Sequence, residues 1–261
     1  MNHLAAPVHY TREGPTARIM FNKPQALNAI DSAMAQAFLD ACRQVAADPS
    51  VRVVVISGAG RAFMAGGDIT QFREAPESIP AQLIGPMHEG LALLCKMNAP
   101  VIASLHGAVA GAGLSIALAC DLSIAAESTK FNFAYTSLGA SCDCGASWAL
   151  PRLVGIKRAL EIALLPGALD AATAHGMGLV NRVVPLADLA HATDAMAATL
   201  AAGPTLAYGT LKRLLRDSFG NSLASQMEAE RAGFTACAAT ADFSEAVSAF
   251  LDKRAPLFQG R

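Results

Sequence analysis

At 261 residues, 53% hydrophobic and 16% charged, the chain is long and apolar enough to bury a substantial core. A formal net charge of −1 supplies no broad basic field, which argues against nucleic acid or an anionic membrane as the main partner. Six cysteines, far apart except Cys142 and Cys144, fit a reducing compartment better than a disulfide scaffold; Met1-Asn2-His3-Leu4 opens no charged-then-apolar leader, and the expected location is cytoplasmic.

In chain order, Ala17-Arg18-Ile19-Met20-Phe21 predicts a strand. Asp31 predicts the cap of a helix that carries Met34, Phe38, Cys42 and Val45 on one face. Val51 to Ser57 is β-branched and almost wholly apolar, as in a strand covered on both faces. A loop is expected around Pro76 to Pro86, then a helix through His88, Leu91, Leu94 and Cys95, then a strand over Pro100 to Leu105. After Leu122-Ser123-Ile124-Ala125 the pattern turns helical, and Ala187–Ala202, Thr205–Asp217 and Ser222–Phe250 predict helices separated by Gly203-Pro204 and Gly220-Asn221. This gives an α/β core over residues 1–200 and a C-terminal helical region over 201–261.

Two segments stand out, each following a strand-like run: Ala62-Phe63-Met64-Ala65-Gly66-Gly67-Asp68 and His106-Gly107-Ala108-Val109-Ala110-Gly111-Ala112-Gly113. Small residues let a ligand approach the main chain, and a helix starting at such a turn offers unpaired N–H groups to developing negative charge. A pair of them reads as an oxyanion hole. The bland alternative is two tight turns. His106 is expected to make a structural hydrogen bond.

Five motifs in order resemble the enoyl-CoA hydratase/isomerase, or crotonase, superfamily: Asn22-Lys23-Pro24 with Ala26-Leu27-Asn28-Ala29; Phe63 to Ile69; Pro100 through Gly113; Leu150-Pro151-Arg152-Leu153-Val154-Gly155; and Gly176 to Val184. The resemblance covers nearly the whole chain. It implies a spiral of repeated β-β-α units with a helical C-terminal region and an acyl-CoA thioester as substrate. Cys142 and Cys144 form a single C-x-C with no second ligand pair, so no metal and no cofactor beyond the CoA of the substrate are expected. Homotrimers or dimers of trimers are implied as well. By position, the Gly67 and Ala112 N–H groups would hold the thioester oxygen. Lys23, the backbone around Ala62, Ala65, Asp68 and Ile69, and Lys253 from a neighbouring subunit would hold CoA. For both lysines the competing reading is a solvated surface cation.

Hydratases of this superfamily use two glutamates. Here Ser115 and Tyr135 stand at those positions, which disfavours ordinary hydration. Ser115 reads as a helix residue bonding backbone. The carboxylate left is Asp143, at the position used by single-aspartate isomerases and by the 4-chlorobenzoyl-CoA dehalogenases; alternatively it is a helix N-cap. As an isomerase, Asp143 would carry a proton from C2 to C4 of a 3-enoyl thioester. As a dehalogenase, Asp143 would attack an aromatic carbon and His88 would activate water, unless His88 is merely solvated. Tyr135 would donate to Asp143 or to substrate, or be core. Phe63, Phe133, Leu138 and Trp148 are candidate walls. A non-catalytic acyl-CoA binder is the alternative from another class.

Overall fold

The structure is a computed structural model that describes residues 6–165 and 167–261. The first hairpin pairs β1 (Val8–Glu13) with β2 (Thr16–Phe21) antiparallel. Strand β1 is absent from the sequence-based expectation because only Val8 of its six residues is buried, so it lacks apolar alternation. Helix α1 (Ser32–Ala47) starts where Asp31 accepts the Met34 N–H at 2.8 Å, and its apolar stripe is buried.

Strand β3 (Val53–Gly58) pairs parallel with β2 and sends alternate side chains into two cores. Val54 and Ile56 join the core that also contains residues of α1, while Val53 and Val55 face the opposite way. After β3 come the short helix α2 (Ile69–Glu74) and α3 (Gly85–Lys96). The expected loop between them is instead helical: a 3₁₀ turn over Pro76–Ser78 and a π turn over Pro80–Ile84. Its prolines sit in first-turn positions, where a missing N–H costs no hydrogen bond.

Fully buried β4 (Val101–Leu105) is followed by β5 (Ala108–Ala110), α4 (Ala112–Ala119), β6 (Leu122–Ala126) and β7 (Lys130–Asn132). Helices α5 (Ala146–Val154) and α6 (Ile156–Leu164) lead to β8 (Leu169–Asp170), α7 (Ala171–Gly176) and β9 (Arg182–Val184). The main sheet runs β1-β2-β3-β4-β6-β9, parallel beyond the first pair, and a small sheet runs β5-β7-β8.

Helix α8 (Leu189–Ala201) covers the second face of the main sheet, setting Leu189, Met196 and Ala197 against Val53, Val55 and Ile102. Then follow α9 (Thr205–Asp217), α10 (Leu223–Ala238) and α11 (Ala241–Leu251). The single helix expected over Ser222–Phe250 is therefore two. Thr240 stops it by taking the Phe243 N–H on its hydroxyl as the cap of α11. Helix α9 is tied to the core by Lys212 and Arg216, which pair with Asp121 at 2.7 and 2.9 Å. Among the described residues no helix is long and apolar enough to cross a membrane.

Candidate active site

The two glycine segments are zipped together. Phe63 N–H donates to His106 O at 2.8 Å, Met64 N–H to Ala108 O at 3.1 Å, and Ala110 N–H to Met64 O at 2.9 Å. Two glycines permit this approach: a Cβ on Gly107 would lie 2.0 Å from Arg61 O, and one on Gly113 2.6 Å from Met64 O. His106 Nε2 meets Gly60 O at 2.9 Å. Asn28, fully buried, fixes the first segment from beneath: its amide nitrogen donates to the carbonyls of Ala59, Ala62 and Phe63. In the sequence Asn28 stands out only as part of a motif. Its local signal is an asparagine able to take the left-handed φ of 58° found there.

Gly67, Ala112, Tyr135 and Asp143 line one cavity of about 100 Å³, together with Ala65 and Ile69. Among the described residues, neither the Gly67 nor the Ala112 N–H has a hydrogen-bond partner. Ala112 opens α4, where an intrahelical partner cannot exist. Two such donors can hold an oxygen on which negative charge develops.

Asp143 is not a helix cap. Gly145 holds that position for α5, with no side-chain cap, and the Asp143 carboxylate instead accepts the Tyr135 hydroxyl. Tyr135 Oη lies 2.8 Å from Ser115 Oγ, which also lies 3.2 Å from Gly111 O. Each hydroxyl has one proton. With the Tyr135 proton on Asp143, that of Ser115 is shared between Tyr135 and Gly111. Burial, and next the adjacent Asp143 charge, push the Tyr135 phenol well above its ordinary value, so it remains a proton donor.

Other expected residues lie elsewhere. His88 lines a separate cavity of about 710 Å³, and its Nε2 accepts the Cys144 N–H at 2.9 Å. The proton of a neutral ring is then on Nδ1, so neither nitrogen has a lone pair free to activate water. Trp148 lines the same larger cavity beneath the Arg152 guanidinium, 4.3 Å from its ring, whereas Phe63 is core, edge-on to Phe21 at 5.8 Å. Phe133 packs on Tyr135 at 5.1 Å, and Leu138 does reach the Asp143 cavity.

Lys23 is not a solvated cation. Its Nζ donates to Asp31 at 2.6 Å and to Asp68 at 3.1 Å, while each carboxylate caps a helix with its other oxygen. Ala62 is buried with its carbonyl turned onto Asn28, and Lys253 is exposed beyond α11. All six cysteines are free, and among the described residues no three metal-binding side chains converge.

A family model described as enoyl-CoA hydratase/isomerase matches residues 11–261. The chain is 37% identical to 1,2-epoxyphenylacetyl-CoA isomerase of Escherichia coli K12, across 93% of this chain and 94% of that protein. It is 33% identical to 2,3-dehydroadipyl-CoA hydratase of the same organism, across 96% and 98%. The crystal structure of an enoyl-CoA hydratase from Polaromonas sp. JS666 matches with a TM-score of 0.90 at 34% identity, covering 97% of this chain and 99% of that one. The chain belongs to the enoyl-CoA hydratase/isomerase, or crotonase, superfamily, and it is an acyl-CoA enzyme with the crotonase fold.

Proposed function

We propose that this enzyme shifts a double bond within an acyl-CoA thioester, converting a 3-enoyl to a 2-enoyl form. One observation carries the reading: a single carboxylate, Asp143, shares a cavity with the two unpartnered N–H groups of Gly67 and Ala112. Asp143 takes a proton from C2, the electron pair of the broken C–H bond delocalises onto the thioester oxygen held by the two donors, and the same carboxyl returns the proton at C4. No water adds, in keeping with Ser115 and Tyr135 being bonded to one another where the two glutamates of a hydratase would stand. Ile79, Leu83 and Met87 provide apolar walls for a hydrocarbon acyl group.

The nucleophilic-aspartate alternative lacks its base, because the His88 ring is committed to Cys144. CoA is expected along Ala65, Asp68 and Ile69, with Lys23 acting through the two helix caps and not as a free phosphate ligand. Exposed Leu223, Met227 and Phe234 on α10, and Phe250 on α11, support association between copies of the chain, for which the resemblance implies trimers or dimers of trimers. The test is the absorbance of the conjugated thioester formed from a 3-enoyl-CoA. Wild type is expected to convert it, and Asp143→Asn to lose about 10²-fold or more in kcat with little change in KM. Equal inertness of both proteins across acyl chains would leave a binder.

A further inference from the structure

We propose that Tyr135, backed by Ser115, is a positioning residue that occupies Oδ1 of Asp143 and leaves Oδ2 as the sole proton-carrying oxygen. The inference rests on the isomerase reading and deepens it.

The torsion that orients a carboxylate is broad and roughly two-fold, so an aspartate on a loop needs an external restraint to present one oxygen. Its loop is built from left-handed turns: Gly139 and Gly145 take φ of 67° and 78°, which glycine adopts freely, and Cys144 takes φ of 50°. Such a backbone fixes where Asp143 sits and sets the buried Cys144 thiol beside its carboxyl, while the hydroxyl that donates to Oδ1 is the stronger restraint on the carboxyl plane. The donor is itself immobilised. Tyr135 is 9% exposed, packs edge-on to Phe133, and has Ser115, 1% exposed, at its oxygen. Ser115 in turn reaches the Gly111 carbonyl, one residue before the Ala112 donor. A single chain of contacts thus links the proton carrier to the turn that presents Ala112.

The chemistry follows from that arrangement. In the first half-step the C2–H bond breaks and an Oδ2–H bond forms; in the second Oδ2–H breaks and C4–H forms, with no net gain or loss of protons. With Oδ1 held by the Tyr135 hydroxyl, Oδ2 and its acquired proton stay aimed into a cavity whose walls Ile79, Leu83 and Met87 keep water away; without that bond the carboxyl can rotate and lose the proton to solvent. Most of the protons that leave C2 then arrive at C4.

The experiment uses a 3-enoyl-CoA carrying two deuterons at C2, with product label read by mass spectrometry, for wild type, Tyr135→Phe and Ser115→Ala. Wild type is expected to retain most of the transferred deuteron at C4. Tyr135→Phe, which keeps the ring, should lower kcat by about tenfold or more, leave KM within about twofold, and lose much of the transferred label to water. Ser115→Ala should show a smaller change of the same kind. Unchanged kcat and label retention in Tyr135→Phe overturn the proposal. A second measurement does not depend on turnover: a downfield hydroxyl proton resonance present in wild type and absent from Tyr135→Phe. Its absence from wild type overturns the positioning role. Its presence in a wild type that fails to isomerise upholds the hydrogen-bonded pair and overturns only the reading on which it rests.

Discussion

The backbone N–H of Cys144 donates to His88 Nε2 at 2.9 Å, and this bond ties the loop carrying Asp143 to helix α3. The two residues are 56 apart in sequence, and Cys144 is 3% exposed. An N–H buried there without an acceptor costs about 1–3 kcal/mol.

His88→Ala is accordingly expected to act on the loop. It should lower kcat for isomerisation by about tenfold through misplacement of Asp143. A base that hydrolysed an aspartyl ester would behave differently, since its removal would trap a covalent acyl or aryl enzyme. Intact-protein mass spectrometry of His88→Ala after exposure to 4-chlorobenzoyl-CoA should show no adduct. A stoichiometric adduct would restore the nucleophilic mechanism.

The Ala112 donor can be removed without removing the helix. Proline is tolerated at the first residue of a helix, and Ala112 holds that place in α4. The preceding Gly111 has φ 53° and ψ −122°, the mirror image of the extended conformation preferred before proline and open to glycine alone. Ala112→Pro should keep the fold, as judged by circular dichroism, and lower kcat by about 10²–10³-fold, the loss of one oxyanion donor worth about 2.7–4 kcal/mol. Wild-type turnover in this variant would remove Ala112 from the chemistry.

These relationships differ in how far the sequence discloses them. The Asp31 cap, α1 and the two glycine segments were legible because their signals are local: a cap, a helical stripe, small residues after an apolar run. The 76–84 turns were hidden because proline marks a loop and a first helical turn alike. A Tyr135–Asp143 bond is one of three readings open to Tyr135 in the sequence, and what selects it is invisible there: left-handed turns at Ala134, Gly139 and Cys144, two of them at non-glycine residues with no sequence signature. Lys23 reads as either a CoA ligand or a surface cation, and its ion pairs stay hidden because the partners lie 8 and 45 residues away.

The cluster of Lys23, Asp31 and Asp68 gives a pH prediction. Burial opposes ionisation of both Lys23 and Asp68, but their partners together outweigh it: Asp31 and Asp68 hold Lys23 above its ordinary value, and Lys23 with the Thr70 and Gln71 N–H groups holds Asp68 below the usual carboxylate range. The Asp68 contribution is present above its unfolded value of 3.8 and is lost as pH falls; that of Lys23 is present below 10.5 and is lost as pH rises further. Lys23→Met should therefore cost about 1 kcal/mol near neutrality, about 2–4 °C in melting temperature, with the gap narrowing below about pH 4. KM for the CoA ester should change by less than about threefold. A rise of about tenfold or more in KM at unchanged stability would return Lys23 to the phosphate.

The C-terminal segment carries its own acid-sensitive fastening. Glu245 on α11 takes two bonds from the Arg254 guanidinium, at 2.6 and 3.0 Å, and the Leu257 N–H at 2.8 Å. The Arg254 contacts, and then the Leu257 amide, push its carboxyl down to about 2 from an ordinary 4.5. With the folded value below the unfolded one, this fastening is at full strength above about pH 4.5 and is lost progressively as pH falls toward 2. Hydrogen exchange at the Leu257 amide, corrected for intrinsic rate, should quicken between pH 5 and about 3. Glu245→Gln should exchange quickly at every pH. The neighbouring Gln259 and Gly260 N–H groups are held separately, by buried Asp242 at 2.6 and 2.7 Å, and Arg52 grips the Phe258 carbonyl at 3.0 Å. Lys253 lies inside the loop that Glu245 closes, so its placement depends on this bond. If Leu257 exchange ignores pH, the segment is held without Glu245, by contacts such as those of Asp242 and Arg52, and the placement of Lys253 does not depend on the Glu245 bond.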